Sequence, residues 1–402
     1  MDIINKERSP FYPGQPVPVD FFIGRIDQIN RIRRAIRQVE LGKPQSIFLT
    51  GEYGIGKSSL AGFMRYLAER DNNILGIYVL LGDATELDDL VTRTLESAIQ
   101  GQTYKPSNSE KIRNFLSKYI GKQELFGVTL NFEALKADAP NISRGFLPFL
   151  RGLYERLKGD EAKGLILILD EINGISKNPK FAHFIKAIID ENALSSTPVP
   201  LLLMLCGVKE RMREMIQHHQ PVERIFDIVE IMPMNEKEME DFFGKSFRSV
   251  ETDVTREAMN IFCHYSAGFP KIMHIIGDAS FWIDKDKQID NEDAMKGVIF
   301  AADEVGKKFF DQQVLQALRS KDYRAILAKL AESKFDLAFK KEEIQSGLSE
   351  IQKKKFNNFL QRMKKLKVLK PGEERGEYIF NSRMVRLYLL LDSMNRKKEQ
   401  RT

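Results

Sequence analysis

Cysteine is nearly absent from this sequence. Its 402 residues include two, Cys206 and Cys263. Two cysteines exclude a disulfide framework and fit a reducing, cytoplasmic setting. Long apolar runs are missing too. The longest, "VPLLLMLCGV" from Val199 to Val208, falls far short of the roughly 20 residues a membrane span needs. The opening "MDIINKERSP" has no apolar core, so no secretory leader is expected there. Histidine is scarce: His218 and His219 are adjacent, His264 follows Cys263, and none of the five shows metal-ligand spacing. We read all five as surface or core residues. No internal repeat and no low-complexity tract is visible. What remains is 43% hydrophobic, the composition of a soluble globular chain of two or three domains with no membrane partner.

Charge is unevenly spread. Residues 311–402 hold 22 Lys and Arg against 12 Asp and Glu, whereas residues 1–310 hold 40 against 44. A basic end on a slightly acidic body suggests contact with a polyanion, although a solubilising surface would look the same.

The pattern of elements has a clear order. The Pro- and Phe-rich first 22 residues are expected to run extended over the surface. A helix follows over "DQINRIRRAIRQVE", with Ile26, Ile29, Ile32, Ile36 and Val39 on one stripe. Apolar strands "QSIFLTG", "ILGIYVLLGD", "GLILILDEI", "VPLLLMLCGV" and "FDIVEIMPM" then alternate with helices. Short strands apolar throughout, alternating with helices, indicate a parallel sheet covered on both faces. The less regular stretch 101–163 reads as an insertion, with "FGVTLNFEAL" a strand or hairpin and "SRGFLPFLRGLYERLK" a helix. After Met234 the strand signal stops. We expect an α/β core over 1–234, a helical lid over 235–305, and a third domain over 306–402.

"GEYGIGKS", Gly51 to Ser58, matches the P-loop spacing. Gly51, Gly54 and Gly56 let the backbone curl so that successive N–H groups face one concavity, and the helix that starts there adds positive potential. Lys57 is placed to reach the β- and γ-phosphates, and the Ser58 hydroxyl to ligate Mg²⁺. Ile55 and Ser59 complete the loop. The strand "LILILDE" ends in Asp170 and Glu171, where ligands of such sheets bind. An aspartate there can hold Mg²⁺, and the adjacent glutamate can deprotonate an attacking water. ATP and Mg²⁺ are therefore the expected ligands, and slow or fast ATP hydrolysis the expected activity.

With these motifs the chain resembles the AAA+ ATPases, most nearly the origin-recognition and initiator-type branch, whose members carry a C-terminal winged helix. The likeness covers about residues 16–395 and rests on "FFIGR", "GEYGIGKSS", "LILILDE" and "GFPK". It implies that Ile23, Gly24 and Arg25 line the adenine pocket and that Lys271 of "SAGFPK" senses the γ-phosphate, where arginine is more usual. It also implies that Arg224, just before the fifth strand, reaches a neighbouring subunit as an arginine finger, with Arg211 and Arg213 as weaker candidates. The chain departs from the family at the end of the fourth strand, where a polar sensor is expected and Cys206 stands.

The tail reads as the winged helix. "YRAILAKLAES", "KKEEIQSG" and "SEIQKKKFNNFLQRMKKLKVL" are its helices and "VLKPGEERGEYIF" its wing. In the third helix Phe356, Phe359, Leu360, Met363 and Leu366 should pack inward. Lys353, Lys354, Lys355, Arg362, Lys364 and Lys365 should then face a DNA backbone. Two functions follow. One is an ATP-driven switch on duplex DNA, possible as a homo-oligomer. The other is a signalling or defence ATPase of the related STAND type, whose winged helix docks a protein and whose effector is a separate subunit.

Overall fold

The computed structural model describes residues 6, 8–99, 142–158, 162–332, 337–372 and 374–399. The strand or hairpin expected over "FGVTLNFEAL" lies outside them. The chain divides into two compact units, Pro16–Met232 and Met1–Gln15 with Pro233–Thr402.

The first unit is built on five parallel strands, β1 (Gln45–Gly51), β2 (Ile74–Leu80), β3 (Gly164–Asp170), β4 (Leu201–Gly207) and β5 (Asp227–Ile231). Their order is β2-β3-β4-β1-β5. The register aligns Tyr78 with Ile168, Ile168 with Met204, and Met204 with Ile47. Because side chains alternate along a strand, Val79, Leu169, Leu205 and Phe48 share the opposite face. That face is buried in one apolar cluster with residues of α3 (Leu87–Ile99), α4 (Ile142–Lys158) and α5 (Pro179–Leu194). Helices α1 (Ile26–Glu40) and α2 (Lys57–Asn72) pack against each other and the sheet. The stretch expected to be an insertion thus contributes to the core. Phe146 and Leu150 of α4 are buried, and Phe146 meets Phe184 edge-on at 5.4 Å. Helix α6 (Lys209–His218) follows β4.

The second unit opens with four helices, α7 (Glu236–Arg248), α8 (Arg256–Ser266), α9 (Pro270–Ile283) and α10 (Asn291–Val305). The reciprocal cap between Asn235 and Glu238, legible in the sequence, starts α7. A short parallel pair, β6 (Asp253–Val254) with β7 (Gln288–Ile289), was not foreseen. Then come α11 (Lys321–Glu332), β8 (Ala338–Lys340), α12 (Lys341–Ser346), α13 (Glu350–Lys365), β9 (Leu369–Pro371), β10 (Glu377–Phe380) and α14 (Arg383–Glu399). Strands β8, β10 and β9 form a small antiparallel sheet. The sequence reading missed β8 and the long last helix.

The N-terminal segment differs from its expectation. Phe11 is buried, edge-on to Phe247 at 4.9 Å and beside Phe242. Lys6 Nζ donates to the Asp284 carboxylate at 2.6 Å and to the Asp284 carbonyl at 2.7 Å. The Tyr12 N–H donates to His274 Nδ1 at 3.1 Å. An aromatic and a cation that a linear reading leaves on the surface are drawn in by partners more than 200 positions away. Among the described residues no helix is long and apolar enough to cross a membrane.

Candidate functional site

The site grows from the end of β1. Gly54 and Gly56 take φ of 75° and 97°, a left-handed conformation glycine adopts without strain. Gly56 is the N-cap of α2, so the helix begins at Lys57 with its first N–H groups turned toward the loop. Ile55 is buried and pins the loop's middle. Arg25, itself buried, donates to the carbonyls of Ile55, at 3.1 Å, and of Met232. Its guanidinium braces the loop from behind. Ile23 and Gly24 precede it, half-buried, at the start of α1. The Ser59 hydroxyl accepts from the Val17 N–H at 3.2 Å, leaving Ser58 as the hydroxyl in the first helical turn. Lys57 Nζ donates to the carbonyls of Gly51 and Glu52, at 3.0 and 2.8 Å. Burial lowers its pKa, and the nearby carboxylates of Asp170 and Glu171 oppose that shift.

Asp170 closes β3 and is 1% exposed. Its Oδ1 accepts the Glu171 N–H at 2.8 Å, and its Oδ2 accepts the Tyr78 hydroxyl at 2.5 Å. Glu171 is exposed, with φ of 55°. That left-handed backbone turns the chain off the sheet and separates the two adjacent carboxylates, one inward and one toward solvent. Tyr78 was missed from sequence. It lies in β2 beside Ile168, two positions before Asp170, so it shares a face with the aspartate. Burial and the Asp170 carboxylate push its phenol well above the ordinary value, so it acts as a donor. Only the strand register reveals this pairing.

Cys206 sits on the same face, buried, and burial and Asp170 raise its thiol pKa strongly. It is a neutral thiol, a weak donor. Asn173, two residues past Glu171, has a buried amide oxygen without a hydrogen-bond partner among the described residues. Arg211 pairs with Glu214 at 2.5 Å, and Glu214 also accepts from the Ser176 hydroxyl at 3.0 Å. Arg213 is exposed on α6. Arg224 ends a 3-10 turn, Gln220–Arg224, and is exposed with no ion pair among the described residues.

Magnesium is a hard cation that takes oxygen ligands. Asp170 keeps lone pairs beyond its two hydrogen bonds, and Ser58 adds a hydroxyl, so this donor set fits such an ion. Among the described residues no cluster of three or more His, Cys, Asp or Glu side chains could hold an ion. A separate cavity, lined by Glu40, Asn73, Tyr154 and Lys163, opens at the amino ends of the strands. Lys163 and Asn72 already satisfy Glu40 there, at 2.6 and 2.8 Å.

Residues 22–213 match the family described as the AAA ATPase domain. The chain carries an AAA ATPase domain. The matched residues contain the P-loop, Asp170 and Glu171. Among solved structures the fold is similar to the ORC2 protein of Aeropyrum pernix, determined as ADPNP–ADP complexes. The TM-score is 0.61 at 13% identity, covering 98% of each chain. A Walker-type ATPase of Pyrococcus abyssi is similar at TM-score 0.56 and 18% identity, covering 92% of this chain and 96% of that one. Cdc6p of Pyrobaculum aerophilum follows at TM-score 0.50 and 9% identity, with 96% and 98% covered. At these identities the likeness is one of fold. No curated protein matches the chain.

Outside the ATPase domain, Lys271 is the second residue of α9 and exposed. The turn before it is tight: Gly268 has φ of 76°, and a Cβ there would lie 2.2 Å from the Met234 carbonyl oxygen. The glycine of "GFPK" thus has a packing reason of its own. In α13, Phe356, Phe359, Leu360 and Met363 are buried and Leu366 packs beside them. The basic residues divide. Lys353 pairs with Glu350 at 2.8 Å, Lys355 with Asp322 at 2.5 Å, and Lys364 stands 6.0 Å from the Tyr378 ring centre. Lys354, Arg362 and Lys365 are exposed, without an ion pair among the described residues.

Proposed function

We propose that the protein is an ATP-hydrolysing, nucleotide-dependent switch on duplex DNA. The observation that carries the hydrolytic reading is the arrangement around one strand edge. A glycine-lined helix N-terminus stands there with Lys57, and Asp170 and Glu171 act on Lys57 electrostatically. Phosphates would lie against the N–H groups of the loop, which supply positive potential without a desolvated counter-charge. Lys57 would exchange its two carbonyl partners for β- and γ-phosphate oxygens. Glu171 would take a proton from the attacking water as its oxygen bonds to the γ-phosphorus and the bond to the bridging oxygen breaks, giving ADP and phosphate. Asp170 and Ser58 would hold Mg²⁺, which when bound neutralises phosphate charge. Asn173 is a candidate for the polar role that Cys206 does not fill.

The order α11–β8–α12–α13–β9–β10 supports reading the C-terminal part as a winged helix. The free cations Lys354, Arg362 and Lys365 on α13 would contact phosphates. Lys271 we assign, as a proposal, to sensing the bound nucleotide, and unpaired Arg224 to a neighbouring copy. Two free cysteines fit a cytoplasmic site of action. A second reading, a STAND-like ATPase docking a protein, is favoured by the internal pairing of Lys353 and Lys355, which removes free charge from the same helix.

The test is the ATPase rate with and without duplex DNA, beside Glu171→Gln. Stimulation by DNA that fades with salt, together with an inactive variant, supports the switch. Turnover indifferent to DNA at low salt rejects it in favour of protein docking.

A further inference from the structure

Tyr78 is a polar residue in an otherwise apolar strand, "ILGIYVL". Its hydroxyl reaches Asp170 Oδ2 at 2.5 Å and stands 3.5 Å from the Ser58 carbonyl. It therefore lies between the two residues assigned to magnesium. The register explains how. Tyr78 is level with Ile168, and Asp170 is two residues further along the same face, a diagonal that a long aromatic side chain spans. The Glu171 N–H holds the other carboxylate oxygen at 2.8 Å. Asp170 is thus gripped from both sides, with its plane set and its remaining lone pairs directed by the protein.

We infer that Tyr78 is a positioning residue that presets Asp170 for the magnesium–nucleotide complex. This rests on the assignment of Asp170 to magnesium proposed above. A carboxylate free to rotate would have to be ordered each time the ion binds. One already fixed by a hydrogen bond avoids that ordering, and such outer partners typically matter 10–100-fold to metal affinity. Tyr78 touches no phosphate in this role and acts only through Asp170.

The experiment is an equilibrium binding titration with a non-hydrolysable ATP analogue, with Mg²⁺ and with EDTA, on the full chain. The quantity read is the ratio of the two affinities, which does not depend on turnover. Four proteins are compared: wild type, Tyr78→Phe, Asp170→Asn and the double variant. Tyr78→Phe keeps the ring and removes only the donor. It should lower the magnesium-dependent gain about tenfold and leave binding in EDTA unchanged. In the Asp170→Asn background the same change should have no further effect. A wild-type ratio in Tyr78→Phe overturns the inference if Asp170→Asn lowers the ratio. If Asp170→Asn also keeps the wild-type ratio, the magnesium assignment itself fails, and this inference with it. An equal loss in both backgrounds means that Tyr78 does not act through Asp170, which also overturns it. Melting temperatures are read alongside; a fall in melting with an unchanged ratio assigns Tyr78 to the fold alone.

Discussion

The ATPase domain and the C-terminal helix α13 treat charge in opposite ways. In the domain, two ionisable groups of the site are drawn inward: Asp170 is 1% exposed, and burial holds Lys57 below its ordinary pKa. On α13 they are turned outward, and half of its six basic residues are engaged with Glu350, Asp322 or the Tyr378 ring. A buried charge acts through short, fixed geometry, so its removal leaves partners stranded. An exposed charge acts through its summed field, which salt screens. The first kind of site is fragile and specific; the second is graded and tolerant.

The largest effect that would sharpen this contrast is catalytic. Glu171→Gln should reduce hydrolysis by about 10²–10⁴-fold, the usual share of a general base, while a nucleotide-binding titration shows affinity retained. Wild-type turnover in that variant would remove the glutamate from the mechanism. Next comes Phe11 of the N-terminal segment. Phe11→Ala should lower stability by about 3–5 kcal/mol, read from the denaturant midpoint, since Phe11 sits among Phe242, Phe243 and Phe247. A shift no larger than that of a surface substitution would mean that the segment is not docked in solution.

Third is acid sensitivity. Burial lowers the His274 pKa to about 4, from an ordinary 6.5. The folded state thus favours neutral His274, whose Nδ1 accepts the Tyr12 N–H. Between these values the unfolded chain binds more protons. Stability should therefore fall as pH drops from 6.5 to 4, by about 3 kcal/mol in all. Unfolding at a series of pH values should show this slope, and His274→Leu should flatten it. The smallest effects belong to α13. Replacing Lys354, Arg362 and Lys365 together by alanine should weaken duplex binding and reduce the salt slope by up to about 2.7. Lys353→Ala and Lys355→Ala should change it less, because those lysines are already paired. Equal effects from both sets would erase the distinction drawn between them.

Much of this was legible in order along the chain. The spacing of Gly51, Gly54, Gly56 and Lys57 and the pair Asp170 and Glu171 are local patterns, and local backbone rules produce them. The five core strands, helix α3 and the Asn235 cap could be read for the same reason. Strand β8 was not legible, because three residues carry too little pattern and it exists by pairing with β10. The helix Ile142–Lys158 was recognised as a helix, but its place in the core was not, since burial there depends on Phe184 and the sheet.

The sequence by itself determined that a phosphate-binding loop precedes a helix, that two carboxylates end a strand, and that the basic charge gathers toward the C-terminus. Each follows from residues a few positions apart, where periodicity and glycine stereochemistry suffice. Tertiary structure alone decided that Tyr78 grips Asp170, that Arg25 braces Ile55 and Met232, that Lys6 reaches Asp284, that Phe11 is buried, and which lysines of α13 are without an ion pair among the described residues. These are meetings of residues distant in sequence. They depend on strand register and on which opposite charge lies within reach, and both are set only when the chain is packed.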